Sequence, residues 1–336
     1  MNKHIKTITL SFLLFGFLFI THCGKEDVGT VVGYVYTANG SMPLAGVLVY
    51  VKDQTSLSAN SNAEGYFELK DVPTGNQIIV LESGSFKNEV EVDVQGGENE
   101  ISTQSSPIKL GSGEGAVKIK MAVVYGSYDS IEEILANLGF PEISSPDVDS
   151  TGYVFYNEPA DLFTDMSLLN KFSIVFVNCG ADESLDSTMI NNIKQYIQGG
   201  KSMYASDWAY CYVEKPFPDY IDFYGNDTVD GDAKKGNSEV VTATVLADDL
   251  TQQLGKNSME IDFNLGAWVI MDGVSNNTEV MIRATVHDYN NQELPNRPIM
   301  ARFNYGNGRV LYTSFHNEAQ NTADMDKILV RIIYEL

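Results

Sequence analysis

The apolar positions of this chain change rhythm twice. After Lys3, His4 and Lys6, residues Ile8 to Ile20 form a predominantly apolar run. A charged opening before an apolar run too short for a membrane span is the pattern of a signal peptide, here over residues 1–22. From about 30 to 110 the apolar residues come in short β-branched and aromatic runs: "TVVGYVYT", "AGVLVYVKD", "GYFELKDV", "NQIIVLES" and "NEVEVDVQ". Turn-forming stretches such as "ANGS", "NAEG", "PTGN" and "QGGEN" separate them. Short strands at this spacing predict a β-sandwich. "EVEVDV" (89–94) alternates strictly, which puts valines on a buried face and acids on a wet one.

Gly111, Gly113 and Gly115 then interrupt the pattern, and 111–116 reads as a linker. From 117 to 336 strand-like and helix-like periods alternate. "VKIKMAVVYG", "GYVFYNE", "FSIVFVNCG", "KSMYASDWAY" and "GRVLYTSF" read as strands, and "FSIVFVNCG" is apolar throughout, as in a strand covered on both faces. "DSIEEILANLGF" predicts a helix capped by Asp129 or Ser130, with Ile131, Ile134, Leu135 and Leu138 on one face and Gly139 at its end. "DSTMINNIKQYIQGG" and "ADMDKILVRIIYEL" predict two more. The fold class is therefore multidomain: a β-sandwich over 30–110, then a three-layer α/β domain with a mostly parallel sheet over 117–336. Residues 211–307 are less regular and read as a β-rich insertion or an edge extension, near the carboxyl ends of the central strands.

Charge narrows the partners. Formal net charge is −23, and loss of Lys3 and Lys6 with the leader takes it to −25. Such a chain repels phosphate backbones, so nucleic acid is excluded as a partner. Three cysteines occur, Cys23, Cys179 and Cys211. The last two read as buried apolar residues, with a disulfide between them left open.

Specific stretches carry resemblances. "ITHC" (20–23) resembles a bacterial lipobox, in which the cysteine is lipidated and becomes the first mature residue; His22 stands where that motif has a small residue. "GKED" (24–27) resembles the acidic export signal of surface lipoproteins. The resemblance implies lipidation at Cys23, a tether over 23–29, and an outer-membrane, cell-surface location with the membrane as partner through more than one acyl chain. Gly33, "PLAGV" (43–47), "NAEGYFEL" (62–69) and "VPTG" (72–75) resemble the carboxypeptidase regulatory-like domain, whose fold is a prealbumin-like sandwich. That family implies an accessory module, near the membrane, with the α/β domain held further out.

The second domain resembles the class I glutamine amidotransferase-like superfamily, including its ThuA-like branch. Its active members carry a cysteine on a strand-to-helix elbow, Gly-x-Cys-x-Gly, and a later His-x-Glu pair. "SFHNE" (314–318) matches the pair, with His316 and Glu318 in the two positions. "ASDWA" (205–209) falls at the elbow, with Asp207 in place of the cysteine and Ala205 and Ala209 in place of the glycines. The resemblance therefore assigns His316, Glu318 and Asp207 to a vestigial catalytic set. A carboxylate beside an imidazole stabilises imidazolium, a poor base. Ser206, Cys211 and Cys179 are the substitute nucleophiles to weigh, Cys179 being best placed at a strand end.

Other chemistry is sparse. Asp207, His316 and Glu318 suit a divalent ion by residue type. Only His287 and His316 remain in the mature chain, so a His-rich zinc site is excluded; no metal or cofactor is assigned. "NDTVDGDAKKGN" (226–237) is similar to a calcium loop but has Asn226 first and Asn237 at the bidentate position, and reads as a solvated acidic loop. "YASDWAYCYVEKPFPDYIDFYG" (204–225) is rich in aromatics beside acids, and Trp208, Tyr210, Tyr212 and Asp207 are the expected contacts for a glycan or peptide. The expected function is a surface lipoprotein that binds a ligand, such as carbohydrate, or assists envelope assembly without catalysis. The alternative is a glycan or peptide hydrolase using His316 and Glu318.

Overall fold

The computed structural model describes residues 27–226, 229, 231–317 and 322–336. Cys23, Glu318, Asp227 and Asp230 lie outside the described residues.

The first part folds as β1 (Val28–Tyr36), β2 (Leu48–Val51), β3 (Gln54–Asn60), β4 (Tyr66–Pro73), β5 (Gly75–Ser83), β6 (Phe86–Val94), β7 (Gly97–Glu100) and β8 (Ile108–Lys109). One sheet has the order β4-β1-β7 with β8 also on β1, the other β3-β2-β5-β6. Alternation sets the inner faces: Val31 and Val35 of β1, Phe67 and Leu69 of β4, Val49 and Val51 of β2, and Ile79 and Leu81 of β5 share one core. On β6, Glu91 and Asp93 are exposed while Val90 and Val92 are half-buried. The glycine-rich stretch read as a linker lies along β6. Asn88 Oδ1 accepts from Gly111 N, Glu89 N donates to Gly115 O, and Val117 N donates to Lys87 O. Gly111 and Gly115 have positive φ, of 82° and 74°, and a side chain at Gly115 would collide with the Glu89 carbonyl.

The second part contains β9 (Lys120–Val124), α1 (Ile131–Asn137), β10 (Gly152–Tyr156), α2 (Pro159–Phe163), α3 (Met166–Leu169), β11 (Ile174–Val177), α4 (Ser187–Gln198), β12 (Ser202–Ser206), α5 (Cys211–Glu214), β13 (Ile221–Phe223), β14 (Glu239–Val245), α6 (Asp248–Leu254), β15 (Ser258–Phe263), β16 (Met271–Val274), β17 (Thr278–His287), β18 (Glu293–Tyr305), β19 (Gly308–Thr313) and α7 (Ala323–Glu335). Nine strands make one sheet in the order β10-β9-β11-β12-β19-β18-β17-β14-β15, and β13 pairs with β16 outside it. Pairings from β10 to β19 are parallel and those from β19 to β15 antiparallel. Because the antiparallel strands alternate, seven of the nine still run in one direction. Residues 211–307 supply the edge extension, with β15 as a strand that the sequence pattern did not announce.

The central strands are buried on both faces because they divide their side chains between two cores. Met121 and Val123 of β9 and Ile174 and Phe176 of β11 face α1, α6 and α7. Ala122, Val124, Val175 and Val177 face α2 and α4. Asp186 caps α4 by accepting from Thr188 N and Met189 N, and Thr322 caps α7 by accepting from Met325 N.

The sandwich is not a separate bead. Its core continues into that of α1 and α7, through Leu44, Val47, Phe86, Phe140, Ile333 and Tyr334. The Phe86 and Tyr334 rings lie 4.6 Å apart. Tyr334 Oη accepts from Ala38 N at 2.7 Å and donates to Leu110 O at 3.2 Å. Gln253, on α6, accepts from Ala45 N and donates to Pro43 O, and Arg331 Nη1 donates to Ser83 Oγ. The expectation of an α/β domain held out on a spacer is corrected: the two parts share buried surface.

Candidate functional site

The carboxyl ends of β11, β12 and β19 converge with the loop after β9. β12 ends at Ser206, and Asp207 turns the chain with φ of +44° into a 3-10 turn, Asp207–Tyr210, that runs into α5. A positive φ at a residue other than glycine is costly and is held here by tertiary contacts. Asp207 Oδ1 accepts from Val269 N at 2.6 Å, the Cys179 thiol stands 3.4 Å from Oδ2, and the Tyr312 hydroxyl donates to the Asp207 carbonyl at 2.8 Å. Ala205 and Ala209 are fully buried, so the elbow has no room for longer side chains beside it. The chain thus makes a sharp strand-to-helix turn at the end of β12, with a carboxyl at its apex.

Burial pushes the Asp207 carboxyl up to about 7, against the Val269 N–H and the Cys179 thiol, which favour its charged form; nearby Asp129 adds to the rise. Burial raises the Cys179 thiol far above the ordinary range, and the Asp207 charge raises it further. Cys179 is therefore a neutral thiol at physiological pH. Cys211 is a buried thiol on the inner side of α5, and neither cysteine is in a disulfide. Ser206 is fully buried; its hydroxyl donates to Asp129 Oδ2 at 2.7 Å and accepts from Cys179 N.

A cavity of about 300 Å3 sits over the elbow, lined by Tyr128, Cys179, Asp207, Trp208, His316 and the loop Leu265–Ala267. The structure thus gathers His316 and Asp207, as well as Cys179, around one space. A second cavity of about 530 Å3 adjoins it, sharing Tyr128 and Trp208 and bounded by Gly180 to Glu183. Trp208 is half-buried; its Nε1 donates to Ala267 O, and the Lys235 ammonium lies 5.1 Å from a ring centroid. Tyr128 is 50% exposed and is a wall residue the sequence reading missed, although its place after the first central strand is where such walls arise.

Two expected ligand contacts are corrected. Tyr210 and Tyr212 are 1% and 0% exposed. The turn after Asp207 rotates them inward, where Tyr210 meets Phe223 and its hydroxyl accepts from Gly231 N, and Tyr212 meets Phe163 and donates to Asp182 O. Tyr204, Phe217 and Phe223 are core as well, and Trp268 stacks on Phe263 at 3.9 Å. Among the described residues, no group of three His, Cys, Asp or Glu side chains converges as a metal site. His287, the other imidazole, lies away on β17 with Nδ1 2.9 Å from Glu239 Oε2. No helix among the described residues is long and apolar enough to cross a membrane.

Residues 31–114 match the CarboxypepD_reg-like domain family. The match covers the CarboxypepD_reg-like sandwich and leaves the α/β part outside it. Two solved structures of ThuA-like proteins are also similar to this chain. One from Bacteroides uniformis is 12% identical, with a TM-score of 0.46, over 64% of this chain and 89% of that one. One from Parabacteroides merdae is 16% identical, with a TM-score of 0.41, over 64% and 88%. A cohesin–X-dockerin complex from Acetivibrio cellulolyticus is 26% identical, with a TM-score of 0.23, over 36% of this chain and 78% of that one. No curated protein matches the chain.

Proposed function

We propose that this chain is a lipid-anchored protein of the outer cell surface that binds a glycan at the Asp207 elbow and does not transform it. The observation that carries the reading is the chemistry of the elbow. Where the resembled enzymes place a nucleophilic thiol, this chain has a buried carboxyl already engaged by Val269 N–H and the Cys179 thiol. The neighbouring thiol is held neutral, and the Ser206 hydroxyl is buried against Asp129. A reaction through a covalent intermediate needs an activated nucleophile facing the substrate. Tyr128 and Trp208 between the two cavities support a sugar ligand, since aromatic faces and adjacent acids such as Asp182 suit a ring with hydroxyls. The anchoring half of the reading rests on "ITHC" and "GKED".

The test uses residues 24–336 against panels of oligosaccharides and peptides, with product analysis by mass spectrometry. Binding without turnover, lost in Trp208→Ala and kept in His316→Ala, supports the reading. Turnover abolished by His316→Ala moves the hydrolase alternative ahead of it. Cys23→Ser, followed by acyl labelling and protease treatment of intact cells, tests the anchor and the exposure.

A further inference from the structure

Asp129 or Ser130 was expected to cap α1; Ser130 takes the N-cap position without a side-chain capping hydrogen bond, and Asp129 lies just before it. Its carboxylate has a different occupation. Oδ1 accepts from Ser130 N at 3.0 Å and from Asn317 N at 3.0 Å, and Oδ2 accepts from Ser206 Oγ at 2.7 Å and from Asn317 Nδ2 at 3.5 Å. Asp129 is 3% exposed. One buried carboxylate thus ties three pieces of the cavity together: the loop carrying Tyr128, the last residue of β12 before the elbow, and the residue after His316. The other neighbour of His316 is also fixed, because Phe315 is buried and its carbonyl accepts from Thr313 Oγ1, which pairs with Tyr204 Oη. His316 therefore sits between two pinned residues, and the link on its C-terminal side runs through Asp129.

We propose that Asp129 is the positioning residue of the cavity, setting His316 and the Asp207 elbow relative to each other through Asn317 and Ser206. A backbone N–H or hydroxyl bound to a carboxylate is held more strongly than one bound to a neutral acceptor. Replacing the carboxylate by an amide loses that charge assistance and leaves one acceptor oxygen where there were two. The loop 314–317 then opens locally while the sheet beneath it stays closed. The proposal rests on the binding reading only for its consequence, that ligand affinity falls with the loop. Its test needs no ligand.

The experiment is modification of the folded chain by diethyl pyrocarbonate, read residue by residue by mass spectrometry, in wild type, Asp129→Asn and Ser206→Ala. His316 is 8% exposed and His287, paired to Glu239 on β17, is the internal control. In Asp129→Asn the His316 rate should rise by about tenfold, as expected for an opening easier by that factor, with the His287 rate unchanged. In Ser206→Ala, which cuts only the elbow side, the His316 rate should stay near wild type while alkylation of Cys179 accelerates. An unchanged His316 rate in folded Asp129→Asn overturns the proposal. So does a rise of His287 and His316 together, which marks general loosening. If Asp129→Asn does not fold, Ser206→Ala decides: acceleration at His316 and Cys179 alike, or at neither, overturns it.

Discussion

The Cys179 sulfur stands 3.4 Å from Oδ2 of Asp207, across the ends of two parallel strands, β11 and β12. Both groups are buried, which raises both; the Asp207 charge makes the thiolate costlier still, whereas the thiol hydrogen bond only partly offsets the burial of the carboxylate. The pair is a neutral thiol beside a carboxyl that titrates near neutrality, a poor arrangement for nucleophilic attack. Iodoacetamide at pH 8 should therefore alkylate Cys179 in the folded chain at least about a hundredfold more slowly than in the urea-unfolded chain. Asp207→Asn removes the neighbouring charge and should speed the folded reaction. Rapid labelling of wild-type Cys179 would contradict the assignment.

Asp207 makes stability depend on pH in a defined direction. Folding raises its carboxyl to about 7, so between the ordinary carboxylate range and that value the folded chain holds a proton the unfolded chain has released. The contribution is fully present below the unfolded value and is lost as pH rises through about 7. Asp129, raised by burial to about 6, acts in the same sense over a lower window. Urea midpoints of wild type and Asp207→Asn should diverge between pH 5 and 8, with wild type losing on the order of a few kcal/mol that the variant keeps. Parallel curves would show that Asp207 is not the group responsible.

Tyr334 reports on the union of sandwich and α/β part. Its hydroxyl serves Ala38 N and Leu110 O, both in or beside the sandwich. Tyr334→Phe leaves a buried N–H without its acceptor and should cost about 1–3 kcal/mol. Because the parts share one core, calorimetry should record the whole chain melting in one transition, lowered by a few degrees in the variant. Two resolved transitions in wild type would refute the shared core.

The two tryptophans separate site from scaffold. Trp268 is 2% exposed and stacked on Phe263, whereas Trp208 is half-buried at the cavity wall. Trp268→Phe should leave a fluorescence signal that acrylamide and ligand both quench, and Trp208→Phe a blue-shifted signal indifferent to both. Equal quenching in the two variants would place the ligand elsewhere.

Much of the architecture was legible because it is local. Valine alternation in β6, the apolar run of β11 and the helical period of α4 and α7 act through neighbours within a turn or a strand, so the sequence displays them directly. The elbow at Asp207 and the motif around His316 were legible as short patterns at strand ends. Glu318, the third member of that reading, lies outside the described residues. The inward turn of Tyr210 and Tyr212 was not legible, since a binding aromatic and a core aromatic have the same composition and differ only in which way a 3-10 turn rotates them. Nor were the roles of Asp129 and Tyr128, or the approach of Cys179 to Asp207. Asp129 meets Asn317 across 188 positions, and Cys179 meets Asp207 across 28. By itself the sequence determined the central strands and the longer helices, though not β15, because local sterics and burial patterns decide most of that. Only the tertiary structure decided which strand ends meet and how the sandwich joins the α/β core, because strand order brings together residues whose spacing along the chain carries no sign of contact.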